Sequence, residues 1–273
     1  RFWGDNASNL DPAILHSQAT QVVRAAKSDK SINLYDRKFL AISGGGSNGA
    51  FGAGLLVGWT ASGKRPQFDA VTGVSTGSLI APFAFLGPAY DRQLREVYTE
   101  ISGKDIYRRK GLLSIIGGDS AVDDTPLRHL VARYVDDRLL ADVAREHAKG
   151  RRLLVGTTNL DAERPVVWDM GAIASSREPN RRQLFCDILV ASASIPGVFP
   201  PARLAVTADG RRYDEMHVDG GTTNQVFLFP SNFTARDVNA MIGRSPKRTL
   251  YVIRNGKVAP EWSAVKPKIT AIA

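Results

Sequence analysis

Short apolar runs alternate along this chain with longer stretches whose apolar positions recur at helical spacing. Lys38 to Ser43 is an apolar run that ends at a glycine cluster, which predicts a buried strand feeding a tight loop. Ala50 to Trp59 resumes with apolar residues and small glycines, as a helix packed closely on a sheet would. Phe68 to Val74 then predicts a second strand, followed by a sharp turn at Ser75-Thr76-Gly77 and a buried helix from Ser78 to Leu86.

Asp11 to Lys27 reads as one helix in a polar, irregular N-terminal stretch, while Asp91 to Ile101 and Pro126 to Lys149 carry helical periodicity with charged outer faces. Arg152 to Thr158, Val166 to Asp169 and Leu250 to Arg254 read as further strands. Ala205 to Thr207 and Arg212 to Val218 flank Asp209-Gly210 and predict a hairpin. Leu184 to Ala193 fits a helix or a buried strand equally, because periodicity cannot separate them over that length.

Strands that alternate with helices predict a mainly parallel sheet covered on both faces. The expected organisation is a polar N-terminal segment with one helix over residues 1–36, then a single α/β domain over residues 37–273. A chain that opens on Arg1 and stops at Ala273 without a capping signal is expected to be a fragment of a longer product.

Composition narrows the chemistry. Cys186 is the one cysteine, which excludes an internal disulfide framework and any multi-cysteine metal site. Four scattered histidines argue against a histidine-rich metal centre. Lys and Arg number 36 against 27 acidic residues, a net charge of +9. The basic residues come in pairs and triplets (Arg108-Arg109-Lys110, Arg151-Arg152, Arg181-Arg182, Arg211-Arg212), with no long basic run and no nucleic-acid recognition signature. An anionic membrane surface is therefore the more natural counterpart than nucleic acid. The sequence has no apolar stretch of roughly 20 residues that could span a bilayer.

The strongest local signal is Gly73-Val74-Ser75-Thr76-Gly77, a G-x-S-x-G set between strand and helix. A serine on so sharp a turn projects its hydroxyl outward, and the flanking glycines remove side chains that would clash. The helix behind it adds a partial positive charge near a developing oxyanion. Ser75 is thus the candidate nucleophile. Gly44-Gly45-Gly46-Ser47-Asn48-Gly49 is the candidate oxyanion hole, since consecutive glycines let several backbone N–H groups converge on one point.

The same loop supports a rival reading. Gly44, Gly46 and Gly49 satisfy G-x-G-x-x-G, and Asp69 follows 20 residues after Gly49, which matches a dinucleotide-binding oxidoreductase. Against it, Asp69 opens the strand that ends at Ser75, whereas the ribose-binding carboxylate belongs at a strand's carboxyl end. A third class is a non-catalytic module that uses the basic excess to bind membrane.

The general base has two candidates on these criteria. His217 alternates on a strand in Tyr213 to Val218, while His129 and His147 fall in charged helical stretches. Asp219 heads Asp219-Gly220-Gly221 at a strand end. Imidazole is intrinsically the better base near neutrality, so spacing alone leaves the two open.

Taken in order, the Gly44–Gly49 loop, Gly73-Val74-Ser75-Thr76-Gly77 and Asp219-Gly220-Gly221 resemble the patatin-like phospholipases. Ala191-Ser192-Ala193-Ser194-Ile195-Pro196 with Phe199-Pro200-Pro201 is similar to the segment that precedes that family's catalytic aspartate. The resemblance runs from about Lys38 to Arg254. It implies a three-layer α/β/α fold, a Ser75–Asp219 dyad without histidine, and hydrolysis of lipid acyl esters through an acyl-enzyme. It implies no metal or organic cofactor, and in bacterial members an envelope or secreted location. Asn48 departs from the Arg or Lys that the family's loop often carries. An amide adds no charge toward a lipid phosphate, which turns the expectation toward neutral acyl esters.

Trp59 and Trp168 read as packing residues, and Cys186 as a buried thiol. Leu112 to Gly117 is an apolar patch between basic and acidic residues that suits a lipid-facing lid or a core helix.

Overall fold

A computed structural model describes residues 1–6, 12–30, 32–99, 108–109, 122–208, 210–228, 239, 245–257 and 259. Its elements in chain order are β1 (Phe2–Trp3), α1 (Pro12–Ser28), β2 (Asp36–Ile42), α2 (Gly49–Ala61), β3 (Ala70–Val74), α3 (Thr76–Leu86) and α4 (Asp91–Thr99). They continue as β4 (Arg108–Arg109), β5 (Val122–Asp123), α5 (Thr125–Tyr134), α6 (Asp137–Ala148), β6 (Arg152–Asn159), β7 (Arg164–Asp169), α7 (Met170–Ser175) and α8 (Arg181–Ser192). The hairpin β8 (Ala202–Ala208) and β9 (Arg211–Asp219) and the strand β10 (Lys247–Ile253) complete them. The apolar patch Leu112 to Gly117 and the turn residue Asp209 lie outside the described residues.

The centre of the sheet is parallel: β10 pairs β2, β2 pairs β3 and β3 pairs β6, all in the same direction. All five residues of β3 are buried, and β6 is buried from Leu153 to Asn159. Strands buried on both faces need helices above and below, which makes the three-layer α/β/α arrangement. Beyond β6 the sheet turns antiparallel, with β7 on one flank and β9, followed by β8, on the other. The polar N-terminal segment joins the same sheet, because Phe2 and Trp3 pair with Val167 and Val166.

Two expectations are revised or resolved. The continuous periodicity of Pro126 to Lys149 is two helices, not one. Val135 leaves the helical region, and Asp136, in extended conformation, caps α6 by accepting the Leu139 amide at 2.8 Å. The segment from Leu184 is helical up to Ser192, as part of α8, with Ala193 as its C-cap, and it buries Phe185, Cys186 and every residue from Ile188 to Ser192. The core joins these side chains to Leu40, Ile42, Val71, Ile80, Phe85, Leu153 and Val155. Trp59 stacks edge-on against Phe68 and Tyr251 at its margin. Burial also pushes the Cys186 thiol up to about 11, so it is protonated at neutral pH.

Candidate active site

The site forms where two strands meet end to end along one edge of β6. β3 runs parallel to β6 and stops with Val74 opposite Gly156. β9 arrives from the other direction and stops with Asp219 opposite Thr157. The residues that leave the two strands, Ser75 and Asp219, therefore face one another across a single step of the β6 register. Ser75 Oγ donates to Asp219 Oδ2 at 2.5 Å, although 144 residues separate them in the chain.

Ser75 has φ 54 and ψ −128, a left-handed conformation that few non-glycine residues adopt. Its neighbours explain why the turn closes. A Cβ on Gly73 would stand 2.4 Å from Gly77 O, and one on Gly77 would stand 2.4 Å from Ile42 O. Both glycines of the G-x-S-x-G set are thus demanded by backbone approach, one within the elbow and one against β2. Behind the elbow, Ser78 holds the turn by donating from N and Oγ to Ser75 O at 2.9 and 2.6 Å.

Asp219 is buried and held from three directions. Its Oδ1 accepts the Gly221 amide at 2.7 Å, its N donates to Ser194 O at 2.8 Å, and its O accepts from Thr158 Oγ1 at 3.1 Å. Burial raises its pKa above the ordinary value, while the Ser75 hydroxyl and the Gly221 amide partly oppose the shift. Among the described residues it makes no ion pair. Gly220 has to be glycine, since a Cβ there would stand 2.4 Å from Gly156 O. At Gly221 a Cβ would come 3.0 Å from Asp219 Oδ1 itself.

The glycine loop lies against the elbow, with the Cβ position of Gly44 only 3.0 Å from Ser75 Cβ. Of its six amides, three are spent inside the fold: Gly44 donates to Gln225 O, Asn48 to Gly45 O, and Gly49 to Gly46 and Ser47 O. Among the described residues, the amides of Gly45, Gly46 and Ser47 make no hydrogen bond with the chain, and all three residues are exposed. Gly45 (φ 153) and Gly46 (φ 54) adopt backbone open to glycine, and a Cβ on Gly45 would strike Asn255 O at 2.1 Å. Asn48, in the same loop, is also exposed.

His217 is not placed to serve Ser75. Its Nδ1 lies 3.0 Å from Thr157 Oγ1 and its Nε2 3.2 Å from Glu215 Oε2. Trp168 Nε1 already donates to Thr157 Oγ1 at 2.9 Å, so the threonine proton is free to go to Nδ1. An ionised Glu215 can only accept, which favours the neutral tautomer with the hydrogen on Nε2. Burial lowers the His217 pKa and agrees with a neutral ring. His147 stands 3.6 Å from Asp169 Oδ1, away from the dyad. Asp123 Oδ1 accepts the Thr125 amide at 3.0 Å where α5 begins, and Asp124 pairs with Arg128.

Asp69 disposes of the dinucleotide arrangement. It sits where β3 begins, accepting the Lys38 amide at 2.6 Å and pairing with Arg37 at 3.2 Å. The glycine loop is at the opposite, carboxyl ends of β2 and β3, a full strand length away.

Two supporting residues escaped sequence reasoning. Asn255 follows β10 and is 1% exposed. Its amide group donates to Ser43 O and accepts from Gly52 N, tying both ends of the glycine loop. Ser192 donates to Gly156 O and accepts the Ser75 amide. Asn255 has no local motif; Ser192 sits in a segment legible only through the family resemblance.

The three-layer α/β/α fold thus brings a serine elbow, a glycine loop and an aspartate together at the carboxyl ends of its parallel strands. The model of one family, Patatin-like phospholipase, matches residues 40–230. This chain belongs to the patatin-like phospholipases, a family of lipid acyl hydrolases. No curated protein matches it. Among solved structures, the crystal structure of VipD from Legionella pneumophila is similar over 82% of this chain and 50% of that one, at 11% identity and a TM-score of 0.45. The chain spans half the length of that protein.

Proposed function

We propose that this chain hydrolyses acyl esters of lipids through a Ser75–Asp219 dyad and an acyl-enzyme. The observation that carries the reading is the 2.5 Å hydrogen bond from Ser75 Oγ to a buried Asp219 carboxylate, at an elbow whose strained φ aims the hydroxyl outward. As Oγ attacks the ester carbonyl carbon, its proton passes to Asp219 Oδ2. The oxyanion that forms takes hydrogen bonds from the uncommitted amides of Gly45, Gly46 and Ser47, with the N-terminus of α3 adding its dipole. Collapse expels the alcohol, which receives the proton from Asp219. Water then attacks the acyl-enzyme with Asp219 again as base, and Ser75 regains its proton as the fatty acid leaves.

An aspartate can serve here because burial moves its pKa upward, toward the range where a carboxylate accepts protons usefully. Asn48 brings no charge to the mouth, which favours neutral acyl esters over phosphate-bearing ones. The net charge of +9 supports peripheral contact with an anionic membrane. The test is a panel of p-nitrophenyl butyrate, triacylglycerol emulsion and anionic phosphatidylglycerol vesicles. Turnover by the wild type and none by Ser75→Ala is expected; hydrolysis retained by a folded Ser75→Ala chain overturns the reading.

A further inference from the structure

The segment that ends α8 touches both members of the dyad. Ser192 Oγ accepts the Ser75 amide at 3.1 Å and donates to Gly156 O at 2.6 Å. Two residues later, Ser194 O accepts the Asp219 amide at 2.8 Å. Ser192 and Ser194 are both 0% exposed, so no water competes for these bonds. One turn of chain thus sets the backbone of the nucleophile and of its base, and Gly156, which Ser192 also grips, is the residue of β6 that lies opposite Val74.

We propose that Ser192 is a positioning residue for the dyad: its hydroxyl anchors the strained Ser75 backbone to β6 and so holds Oγ at Asp219. This rests on the proposed hydrolase reading. The bond has a second consequence. Because the Ser75 N–H is spent on Ser192, it is not available to the oxyanion hole, whose donors come from the glycine loop. The lever is large in principle, since misplacing a reacting group by about 1 Å can cost on the order of 100-fold in rate.

Ser194 supplies the internal control. Among the described residues its hydroxyl donates to Val190 O, one helical turn back, and its contact with Asp219 is through the backbone. Ser192→Ala, Ser192→Cys and Ser194→Ala would be compared with wild type for kcat and KM on p-nitrophenyl butyrate, fluorophosphonate labelling of Ser75, and Tm. Ser192→Ala is expected to lose about 10- to 100-fold in kcat and in labelling rate, with KM changed less than about threefold. Ser192→Cys, a weaker donor and acceptor of similar size, should fall between. Ser194→Ala should stay within about threefold of wild type. Folded Ser192→Ala with near-normal kcat overturns the positioning role, as does a loss matched by Ser194→Ala. Failure of both Ser192 variants to fold assigns the residue to structure alone and also overturns it. A wild-type chain that neither turns over the ester nor reacts with the probe overturns the hydrolase reading instead, and this proposal with it.

Discussion

Replacing Ser75 by glycine and by alanine separates two energies that meet at one residue. Both changes remove the hydroxyl that donates to buried Asp219, and a hydrogen bond to a charged group contributes about 1.5–3 kcal/mol. Only glycine also relieves the backbone at φ 54, ψ −128, where a side-chain-bearing residue stores about 1–3 kcal/mol. Against that relief, glycine loosens the unfolded chain at a cost of about 0.4–1 kcal/mol. The balance leaves Ser75→Gly more stable than Ser75→Ala by about 0.5–2 kcal/mol, although both are inactive. For a chain of this size that is roughly 1–8 °C in Tm. Thermal and urea unfolding of the two variants side by side measure it. An alanine variant as stable as the glycine variant, or more so, would refute strain at the elbow.

Hydrolysis should fall in acid with a midpoint above the ordinary aspartate value, because Asp219 must be ionised and its pKa is raised by burial; a pH–rate profile of kcat/KM reads it. The stability effect has the opposite sign: a carboxyl whose folded pKa is raised favours folding when protonated and loses that contribution as pH rises through the raised value. Asp219→Asn, which keeps an acceptor for Gly221 and a partner for Ser75, should therefore be inactive yet melt higher than wild type at neutral pH, with the advantage shrinking in acid. His217→Ala should lower Tm by opening the Thr157–Trp168–Glu215 network while kcat stays within about tenfold, against near-complete loss for Asp219→Asn. Gly77→Ala should cost about 3 kcal/mol or more, since its Cβ would meet the rigid β2 backbone at 2.4 Å, whereas Gly58→Ala, with open space around it in α2, should stabilise by about 1 kcal/mol. Chemical denaturation of that pair tests whether each glycine is demanded by its surroundings.

Several elements were legible because their signals are local. The strand–elbow–helix at Ser75 is written in five consecutive residues, and the structure adds only which carbonyl each glycine must approach. The alternation of apolar runs likewise predicts β2, β3 and β6 to within a few residues of their observed ends. Pro126 to Lys149 misled because a break between helices needs only two residues out of the helical region, and the amphipathic period passes through them unchanged. The β8–β9 hairpin was legible at its turn, but the antiparallel pairing of β7 and β9 with β6 had no signature, since pairing direction there is settled by how strands meet and not by what each contains.

The choice between Asp219 and His217 marks the boundary most clearly. Both end the same strand, two residues apart, and intrinsic basicity favours the histidine. The register of β9 on β6 decides otherwise: it sets Asp219 opposite Thr157 beside the elbow, and leaves His217 buried between Thr157 and Glu215. The residue types that carry nucleophile, glycine loop and acid are determined by the sequence alone, because backbone strain and close approach act over a few bonds. Which acid meets the serine, which amides stay uncommitted and what holds the elbow in place are decided by contacts between residues 36 to 203 positions apart. Only the folded sheet brings those groups within hydrogen-bond reach, and burial there raises the Asp219 pKa above its ordinary value.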